Sequence, residues 1–533
     1  MVQDGNPGNE EPARPSGIRR RRFLAAGAAG VAAGAVGLGI AACSADSGGH
    51  KGPAAAGDAS AGTGHGPSVL TENDRPGSPD WRITSQGPAE AILGYTDKVS
   101  VLPGEPFGLH VSTTADAFRV SAYRVGWYHG DQARLVWRSD RVAGRRQSPA
   151  AFLPATRTVH AGWDQDLTVG TDGWPEGAYL LRLDGEHGHQ RYVPMVVRSA
   201  SADGRTLLMH APATWQAYNL WGGYSLYQGE NGSYATRSLS VTFDRPYDSS
   251  GAEKFMVYER AAVVLAERLG IPLAYTTGID VHLDPTVLHG ATALFSLGHD
   301  EYWTPEQRAS VTRARDAGTN LAFLGANTCF RRVRLEKGRG GGANRSVVCY
   351  KTDWQNDPEY FRDRKLVSTD FREPPAADPE SSMTGVYYEG YPTDAPYVVH
   401  TPDHWLYEGT GVRRGDSFAH LVGVEYDRVT PEVPTPRPIE VLAHSPLVCN
   451  GRHSFSDSAY YSTRSGAGVF GSGTMRWVEG LMAGTRDDGR DHGMDARTRL
   501  FVTRTTENLF RAFAAGPAGH TRPARDNLKG VYA

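Results

Sequence analysis

Four chemically versatile side chains follow directly on a short apolar run near the middle of the chain. The run, residues 293–297, has the pattern of a buried strand. It ends at Gly298 and is followed by His299, Asp300, Glu301 and Tyr302. These residue types bind metal ions or transfer protons. The alternative interpretation is an ordinary polar loop before a helix, because residues 304–307 have the pattern of a helix N-cap.

Polar side chains also follow three other predicted strands. They occupy residues 210–219, 276–280 and 325–327, and the last of these segments contains Asn327. The carboxyl ends of parallel strands meet at one edge of an open α/β sheet, where ligands bind. Four strand ends that deliver polar groups to the same edge therefore predict a functional site.

The spacing of apolar residues changes near residue 200. Residues 81–200 contain short apolar or alternating runs between turns, which predicts an all-β, Ig-like sandwich. Residues 201–515 alternate predicted strands, at 206–209, 271–275, 293–297 and 320–324, with predicted helices at 252–269 and 305–317, and a final helix is predicted at 496–514. This alternation predicts an α/β fold class with an open, mostly parallel sheet. Within this domain, residues 331–400 are predicted to form a large loop over the site. Residues 516–533 are predicted to be a disordered tail.

The first 43 residues have the features of an export signal. Arg20 and Arg21 fit a twin-arginine signal, and the Ala/Gly/Val run that follows is too short and too weakly apolar to span a membrane. The run ends in Ile-Ala-Ala before Cys43, which is similar to a lipoprotein cleavage site. We therefore expect twin-arginine export and a lipid anchor on Cys43 at the outer face of the cell membrane. The alternative is a soluble secreted protein. Residues 44–80 are predicted to be a disordered linker.

Charge and cysteine spacing exclude some classes of function. The net charge is -3 and the pI is near 6.7. No long basic stripe follows the signal, so we expect no nucleic-acid partner. Cys329, Cys349 and Cys449 lack the spacing of a structural zinc site, and at most one disulfide is expected. Cys349 with Cys449 is the preferred pair, because Cys329 lies beside the candidate site. The sequence leaves the oligomeric state open.

Glutamate and tyrosine oxygens are hard ligands, and such ligands suit a highly charged ion such as Fe(III). A bound cation also lowers the pKa of a phenol, so that tyrosine can bind as phenolate. Three protein ligands leave coordination positions open for water and for a carbonyl oxygen.

Several short motifs recur in order over roughly residues 200–515. They are Gln216-Ala217-Tyr218-Asn219, Trp221-Gly222-Gly223, Ser225-Leu226-Tyr227, Gly298-His299-Asp300-Glu301-Tyr302-Trp303, Gly325-Ala326-Asn327, Cys349-Tyr350-Lys351, Gly423-Val424-Glu425 and Gly466-Ala467-Gly468-Val469-Phe470. Through these motifs the chain resembles the large (beta) subunit of N,N-dimethylformamidase.

The resemblance implies a glutamine-amidotransferase-like domain and a mononuclear iron, Fe(III), held by two tyrosines and one glutamate, with another metal as the alternative. Carried over to this sequence, Glu301 is the carboxylate ligand and Tyr218 is one phenolate ligand. Tyr179 fits the order and approximate spacing of the second tyrosine, although it is equally interpreted as a buried sandwich tyrosine. The substitutes for it are Tyr224, Tyr227 and Tyr302. The implied catalytic groups are His299, Asn327 and Glu425.

The function implied by the resemblance is extracytoplasmic hydrolysis of a C–N bond in a small amide-like substrate. A metal would activate water and the carbonyl, His299 or Glu425 would act as general base, and Asn327 would donate to the oxyanion. The rival hypothesis is a non-catalytic surface lipoprotein that binds glycan or cell wall through sandwich aromatics. These aromatics are Trp127, Tyr128, Trp137 and Trp174.

Overall fold

The computed structural model describes residues 69–374, 377–482 and 487–532. The predicted export signal and most of the predicted linker lie outside these ranges. Helix α1 (Val69–Asn73) nevertheless falls within the predicted linker, and its Glu72 and Asn73 are buried. Asn73 Oδ1 accepts a hydrogen bond from the backbone N–H of Trp127 at 2.8 Å. The linker prediction therefore extends too far towards the sandwich. Within the described ranges, no helix has the length and apolar character needed to cross a membrane.

Two facing β-sheets form the first part of the fold. One has the strand order β1-β3-β9 and the other has the order β2-β11-β10-β4-β5, with β6 on β4. Alternate residues of both sheets, such as Leu109, Val120 and Leu181, are buried in a shared core. The strands are β1 (Ile92–Thr96), β2 (Ser100–Val101), β3 (Phe107–Thr113), β4 (Ala117–Val125), β5 (Ala133–Arg138), β6 (Val142–Ala143), β7 (Ala151–Leu153), β8 (Thr158–His160), β9 (Leu167–Val169), β10 (Gly177–Gly185) and β11 (Gln190–Val197).

Strands and helices then alternate as far as residue 323. The elements are β12 (Thr206–His210), α2 (Pro212–Tyr218), β13 (Ser240–Thr242), α3 (Glu253–Tyr258), α4 (Arg260–Arg268), β14 (Leu273–Thr277), α5 (Gly278–Leu283), β15 (Ala293–Ser296), β16 (Tyr302–Trp303), α6 (Pro305–Asp316) and β17 (Asn320–Phe323). The predicted strands at 206–209, 271–275, 293–297 and 320–324 are confirmed to within a few residues.

Longer strands dominate the remaining residues. The elements are β18 (Arg331–Arg332), β19 (Arg334–Glu336), β20 (Ser346–Val348), β21 (Thr369–Asp370), α7 (Ser381–Thr384), β22 (Tyr387–Val398), β23 (Ser417–Arg428), β24 (Ile439–Cys449), β25 (Arg452–Ser462), β26 (Gly468–Gly471), α8 (Trp477–Gly480), α9 (Ala496–Ala514), α10 (Ala518–Thr521) and α11 (Leu528–Val531). The predicted final helix is confirmed as α9, and its N-cap Asp495 accepts a hydrogen bond from Thr498 N at 2.7 Å.

A seven-stranded mixed sheet lies at the centre, in the order β14-β12-β15-β17-β26-β25-β24. The pairs from β14 to β26 are parallel, and β25 and β24 are antiparallel additions. Helix α9 covers one face, where Phe510 stacks on Phe295 of β15 with ring centroids 4.0 Å apart. This arrangement brings the carboxyl ends of β12, β15 and β17 together at one edge.

The predicted fold class, α/β with an open, mostly parallel, glutamine-amidotransferase-like sheet, is wrong. Strand residues outnumber helical residues, 31% against 24%, and the sheets are antiparallel or mixed. Much of the difference comes from the antiparallel pairs β22–β23 and β24–β25, whose strands have 11 or 12 residues. The predicted loop at residues 331–400 actually contains β18 to β22. Strand β22 is half-exposed, and its register with β23 is irregular, so its sequence lacks a clear period of two.

Two other predictions, the disordered tail and the disulfide, are wrong. The predicted disordered tail contains α10 and α11, and Leu528 is buried. The side chain of Asn527 accepts a hydrogen bond from Val441 N at 2.8 Å, which ties this segment to β24. The three cysteines in the described residues are free and buried, so the predicted disulfide between Cys349 and Cys449 does not form.

A buried ion pair joins the sandwich to the central sheet. Arg124 of β4 and Glu267 of α4 are both buried, and two N–O distances of 2.5 and 2.9 Å make the contact bidentate. Tyr275 of β14 and Asn73 of α1 also donate hydrogen bonds to the Glu267 carboxylate. The contact between the two parts therefore contains a charged network that is shielded from water.

Candidate active site

Glu301 is positioned by the turn between β15 and β16. At Gly298 a Cβ atom would lie 2.2 Å from the backbone oxygen of Tyr258, so only glycine fits at the end of the strand. Three residues later, the backbone N–H groups of Glu301 and Tyr302 donate to Thr214 Oγ1 at 3.1 and 3.2 Å. Thr214 lies on α2, and so the turn and that helix are fixed to each other.

Two tyrosine hydroxyls converge on the buried carboxylate of Glu301. Tyr218 at the end of α2 donates to Oε2 at 2.7 Å, and the Tyr227 hydroxyl lies 2.6 and 2.7 Å from Oε1 and Oε2. The two phenol oxygens are 3.1 Å apart, and their rings stack at 4.6 Å. We call Tyr218, Tyr227 and Glu301 the tyrosine–glutamate cluster.

Positive side chains surround this cluster. Arg331 Nε donates to Glu301 Oε1 at 3.1 Å, and Lys351 Nζ lies 3.0 Å from the centre of the Tyr227 ring. Burial opposes ionisation of Glu301, but the charges of Arg331 and Lys351 outweigh it and lower the pKa of its carboxyl. Burial, then the charges of Glu301 and Glu425, raises the pKa of Tyr218 well above its usual value. Without a metal, Tyr218 is therefore a neutral phenol that donates to the Glu301 carboxylate.

His299 contacts the cluster through its ring. Its Nε2 lies 2.9 Å from the Tyr218 hydroxyl and 3.6 Å from Glu301 Oε2. Burial lowers the pKa of His299 to about 4, although the charge of Glu301 acts in the opposite direction. At neutral pH the imidazole is therefore uncharged and holds the Tyr218 oxygen through a neutral hydrogen bond.

Asn327 occupies the turn that follows β17. Its backbone has a φ of 58°, and its N–H donates to Asp427 Oδ1 at 2.8 Å. The side chain is buried, and within the described ranges no hydrogen-bond partner reaches its Oδ1. A buried amide oxygen without a partner is costly, unless a ligand or water satisfies it.

Glu425 approaches the cluster from β23. It is largely buried, and its charge is one of the causes that raise the pKa of Tyr218. The backbone oxygen of Glu425 accepts from Met475 N at 3.3 Å, which ties β23 to the turn after β26. The structure therefore brings Tyr218, Glu301, His299 and Glu425 into one region.

Arg245 organises the loop between the two tyrosines of the cluster. Its buried guanidinium donates to the backbone oxygens of Gln216, Asn219 and Tyr224 at 3.1, 2.9 and 2.9 Å. Its Nε also donates to Gln216 Oε1 at 3.0 Å. These bonds satisfy carbonyls at the C-terminal end of α2 and fix the segment that runs from Tyr218 towards Tyr227.

Tyr179 is not part of the cluster. It lies in the sandwich core, where its hydroxyl donates to Pro175 O at 2.6 Å and its ring stacks on Trp174. Tyr227, one of the predicted substitutes, lies instead beside Tyr218 and Glu301. Tyr227 could have been favoured from its sequence, because it follows Tyr218 by nine residues in the same polar segment. The sequence offered no signal for Arg331, and Lys351 appeared only within the motif Cys349-Tyr350-Lys351, without a role.

The cluster fits a hard metal ion. Ions with bonds of about 2.0–2.1 Å in octahedral geometry hold neighbouring ligand oxygens about 2.8–3.0 Å apart. The oxygens of Tyr218, Tyr227 and Glu301 lie 2.6–3.1 Å from each other. Within the described ranges no group of three His, Cys, Asp or Glu side chains could hold a metal. A metal site there would need the tyrosine oxygens, whose phenols a cation would help to ionise.

The aromatic residues named for glycan binding are mostly in the sandwich core. Tyr128 and Trp174 are buried, and Trp137 packs on Trp174 with centroids 6.1 Å apart. Trp127 lies beside Arg268, whose guanidinium is 5.7 Å from its ring. These contacts favour packing over ligand binding for this part of the molecule.

Fold and site together define a β-rich protein with a carboxylate–phenol cluster at the edge of a mixed sheet. The family model described as "N,N-dimethylformamidase beta subunit-like, C-terminal" matches residues 119–491, and the chain belongs to this family. The match begins within β4, earlier than the motifs that start near residue 200, and therefore includes much of the sandwich. Membership indicates a hydrolase-like role.

Comparisons with individual proteins add little to this assignment. No curated protein matches the chain. Among solved structures, a Paenibacillus sp. cycloisomaltooligosaccharide glucanotransferase complexed with cycloisomaltoheptaose shares 10% identity with a TM-score of 0.15. That match covers 51% of this chain and 35% of the glucanotransferase, and a similarity this low supports no conclusion.

Proposed function

We propose that this protein is an extracytoplasmic, metal-dependent hydrolase that cleaves the C–N bond of small amides or formamides. Family membership supports the hydrolase-like role. The observation that carries the metal dependence is the convergence of the Tyr218, Tyr227 and Glu301 oxygens within 2.6–3.1 Å.

The three residues of the tyrosine–glutamate cluster would hold a mononuclear iron, with Tyr227 in place of Tyr179. When bound, Fe(III) would polarise the amide carbonyl and acidify a water molecule. Two phenolates and one carboxylate carry three negative charges, and the neighbouring Arg331 and Lys351 help to stabilise them in a buried position. The same donor set suits other hard ions less well, because phenolate formation requires a strongly charged cation.

The remaining residues bind the substrate and transfer protons. Asn327 presents a buried side-chain amide, whose Nδ2 would donate to the developing oxyanion. Its Oδ1, which has no partner among the described residues, would accept a hydrogen bond from water or from a substrate N–H. Glu425 would take the proton from water and pass it to the leaving amine. His299 is engaged with the Tyr218 oxygen, so it would orient that phenol and remain neutral at pH 7.

The proposed location rests on the sequence of residues 1–43, which the structure does not describe. Arg20 and Arg21 would direct export by the twin-arginine route, and Cys43 would carry the lipid anchor. Changing both arginines to lysine should keep the precursor in the cytoplasm. Changing Cys43 to Ser should release exported protein from the membrane fraction, and an unchanged distribution would contradict the anchor.

The proposed activity is tested on purified full-length protein. We expect about one iron per chain, a visible absorption band from tyrosinate–iron charge transfer, and release of amine from N,N-dimethylformamide or another small formamide. The matched control is Glu301→Gln, which should lack both the colour and the activity. A colourless wild-type protein that takes up no Fe(III) when it is supplied would contradict the proposal.

A further inference from the structure

The turn that presents Asn327 has an unusual backbone conformation. Its φ of 58° lies in the left-handed region, where a residue with a Cβ atom costs about 1 kcal/mol or more. Asparagine tolerates this region better than most residues, but the turn still needs support from its surroundings. The backbone N–H of Asn327 is buried and cannot rely on solvent for a hydrogen-bond partner.

Asp427 provides the partner of this N–H. It lies on β23, two residues after Glu425, and its Oδ1 accepts from Asn327 N at 2.8 Å. The backbone N–H of Asp427 donates to Gly473 O at 3.0 Å, in the turn after β26. Ser472 in the same turn donates through Oγ to Gly325 O at 3.1 Å. Asp427 therefore lies where three chain segments meet at the Asn327 turn.

We propose that Asp427 is a positioning residue, which holds the Asn327 turn in its left-handed conformation and thereby aims the Asn327 amide at the substrate. The inference rests on the proposed function, because Asn327 contacts a substrate only if the protein hydrolyses an amide at this site. Asp427 itself touches neither the cluster nor the reacting atoms in this arrangement.

The role requires an acceptor oxygen at this position and does not require a negative charge. Burial raises the pKa of Asp427 to about 8, although the hydrogen bond from the Asn327 N–H lowers it; the nearby charges of Glu380 and Glu389 raise it further. The carboxyl is therefore largely neutral at pH 7, and asparagine offers the same carbonyl oxygen at nearly the same place. Asp427→Asn should preserve the turn, whereas Asp427→Ala leaves the Asn327 N–H without a partner.

The test compares Asp427→Asn and Asp427→Ala in the full-length protein at pH 7. Amide hydrogen exchange of a peptide containing Asn327 should be close to wild type in Asp427→Asn and at least about tenfold faster in Asp427→Ala. On the formamide substrate, Asp427→Ala should lose roughly 10–100-fold in kcat with little change in KM, because a displaced group mainly affects the transition state. Asp427→Asn should restore kcat. Asp427→Ser is used if the alanine variant fails to fold, since its hydroxyl is too short to reach the turn.

A matched control separates positioning from general loss of stability. Asp166 in the sandwich also accepts a backbone N–H, from Val111 at 2.8 Å, and Asp166→Ala should leave kcat unchanged. Equal exchange in wild type and Asp427→Ala would overturn the proposal, and so would a kcat loss in Asp427→Asn as large as that in Asp427→Ala. A wild-type protein without amidase activity would count against the proposed function alone. The exchange measurement then still decides whether Asp427 holds the turn.

Discussion

At the scale of single residues, Glu301 is the buried negative charge at the centre of the candidate site. Its buried carboxylate faces Arg331 and Lys351 and accepts from both tyrosines of the cluster. Glu301→Gln should abolish iron binding. It should also lower the free energy of unfolding, by less than the roughly 3–5 kcal/mol of a fully broken buried ion pair, because Arg331 keeps Asp370 as a partner at 2.6 Å. Metal analysis and denaturant unfolding measure the two effects.

Glu259 provides the control for this change. It is also a buried glutamate, and its Oε1 accepts from Trp215 Nε1 at 2.7 Å, but it lies outside the cluster. Glu259→Gln should keep full iron content. Full iron content in Glu301→Gln would remove the basis of the ligand assignment.

Tyr227 and Tyr179, the two candidates for the second tyrosine ligand, provide a matched pair of variants. Tyr227→Phe removes one cluster oxygen, so it should lose iron or shift the charge-transfer band. Tyr179→Phe removes only the hydrogen bond to Pro175 O, so it should keep iron and cost about 1 kcal/mol of stability. Visible spectra and iron content of both variants measure the difference. Loss of iron in Tyr179→Phe with full iron in Tyr227→Phe would instead identify Tyr179 as the ligand.

The sequence could indicate which single residues lie in the candidate site, but it could not indicate which side chains contact them there. His299 and Glu301 follow an apolar strand, and Asn327 follows another, so their placement at one edge could be predicted from strand order. The structure brings Tyr218 to the same edge. Choosing Tyr227 over Tyr179 requires knowing how the loop after α2 folds back, and that depends on the distant Arg245. Long-range hydrogen bonds of this kind leave no local pattern.

At the scale of elements, Arg245 holds the loop that joins α2 to Tyr227. Arg245→Met should lower the free energy of unfolding by about 2–4 kcal/mol, because several buried carbonyls lose a charged donor. Arg245→Lys should recover little, since one ammonium group cannot replace the planar fork of donors. Iron occupancy should fall in both variants, as the two tyrosines are no longer held together. Denaturant unfolding and metal analysis measure the two effects. Full iron occupancy in Arg245→Met would contradict the prediction that Arg245 holds the two tyrosines together.

Elements with strong local signals were predicted well, and those without them were missed. Helices α6 and α9 carry N-cap side chains, Thr304 and Asp495, and both were found at nearly the correct positions. The helix predicted over residues 252–269 is interrupted at Glu259, whose side chain turns inward to His210 at 2.6 Å. The antiparallel pair β22–β23 was missed because Pro, Gly and charged residues interrupt β22. These strands decide the fold class, so the class was wrong although many elements were right.

At the scale of the whole molecule, stability should depend on pH through Asp427. Its pKa of about 8 in the folded protein lies above the unfolded value of about 3.9. The folded state therefore keeps a proton that the unfolded chain releases, and this stabilisation is complete below about pH 4 and lost as pH rises to about 8. Wild type should lose more stability between pH 5 and pH 8 than Asp427→Asn. Urea midpoints at the two pH values measure this, and parallel curves would contradict it.

The network around Glu267 has a consequence for how this fold can be divided. If the chain started after residue 200, Glu267 and Tyr275 would face water or each other without Arg124, which belongs to the sandwich. A buried carboxylate that has lost its guanidinium partner strongly destabilises the folded state. The sandwich is thus not an interchangeable module attached to the body that the residues after 200 form. Recombining the body with a foreign N-terminal partner would require that partner to supply an arginine at the same place.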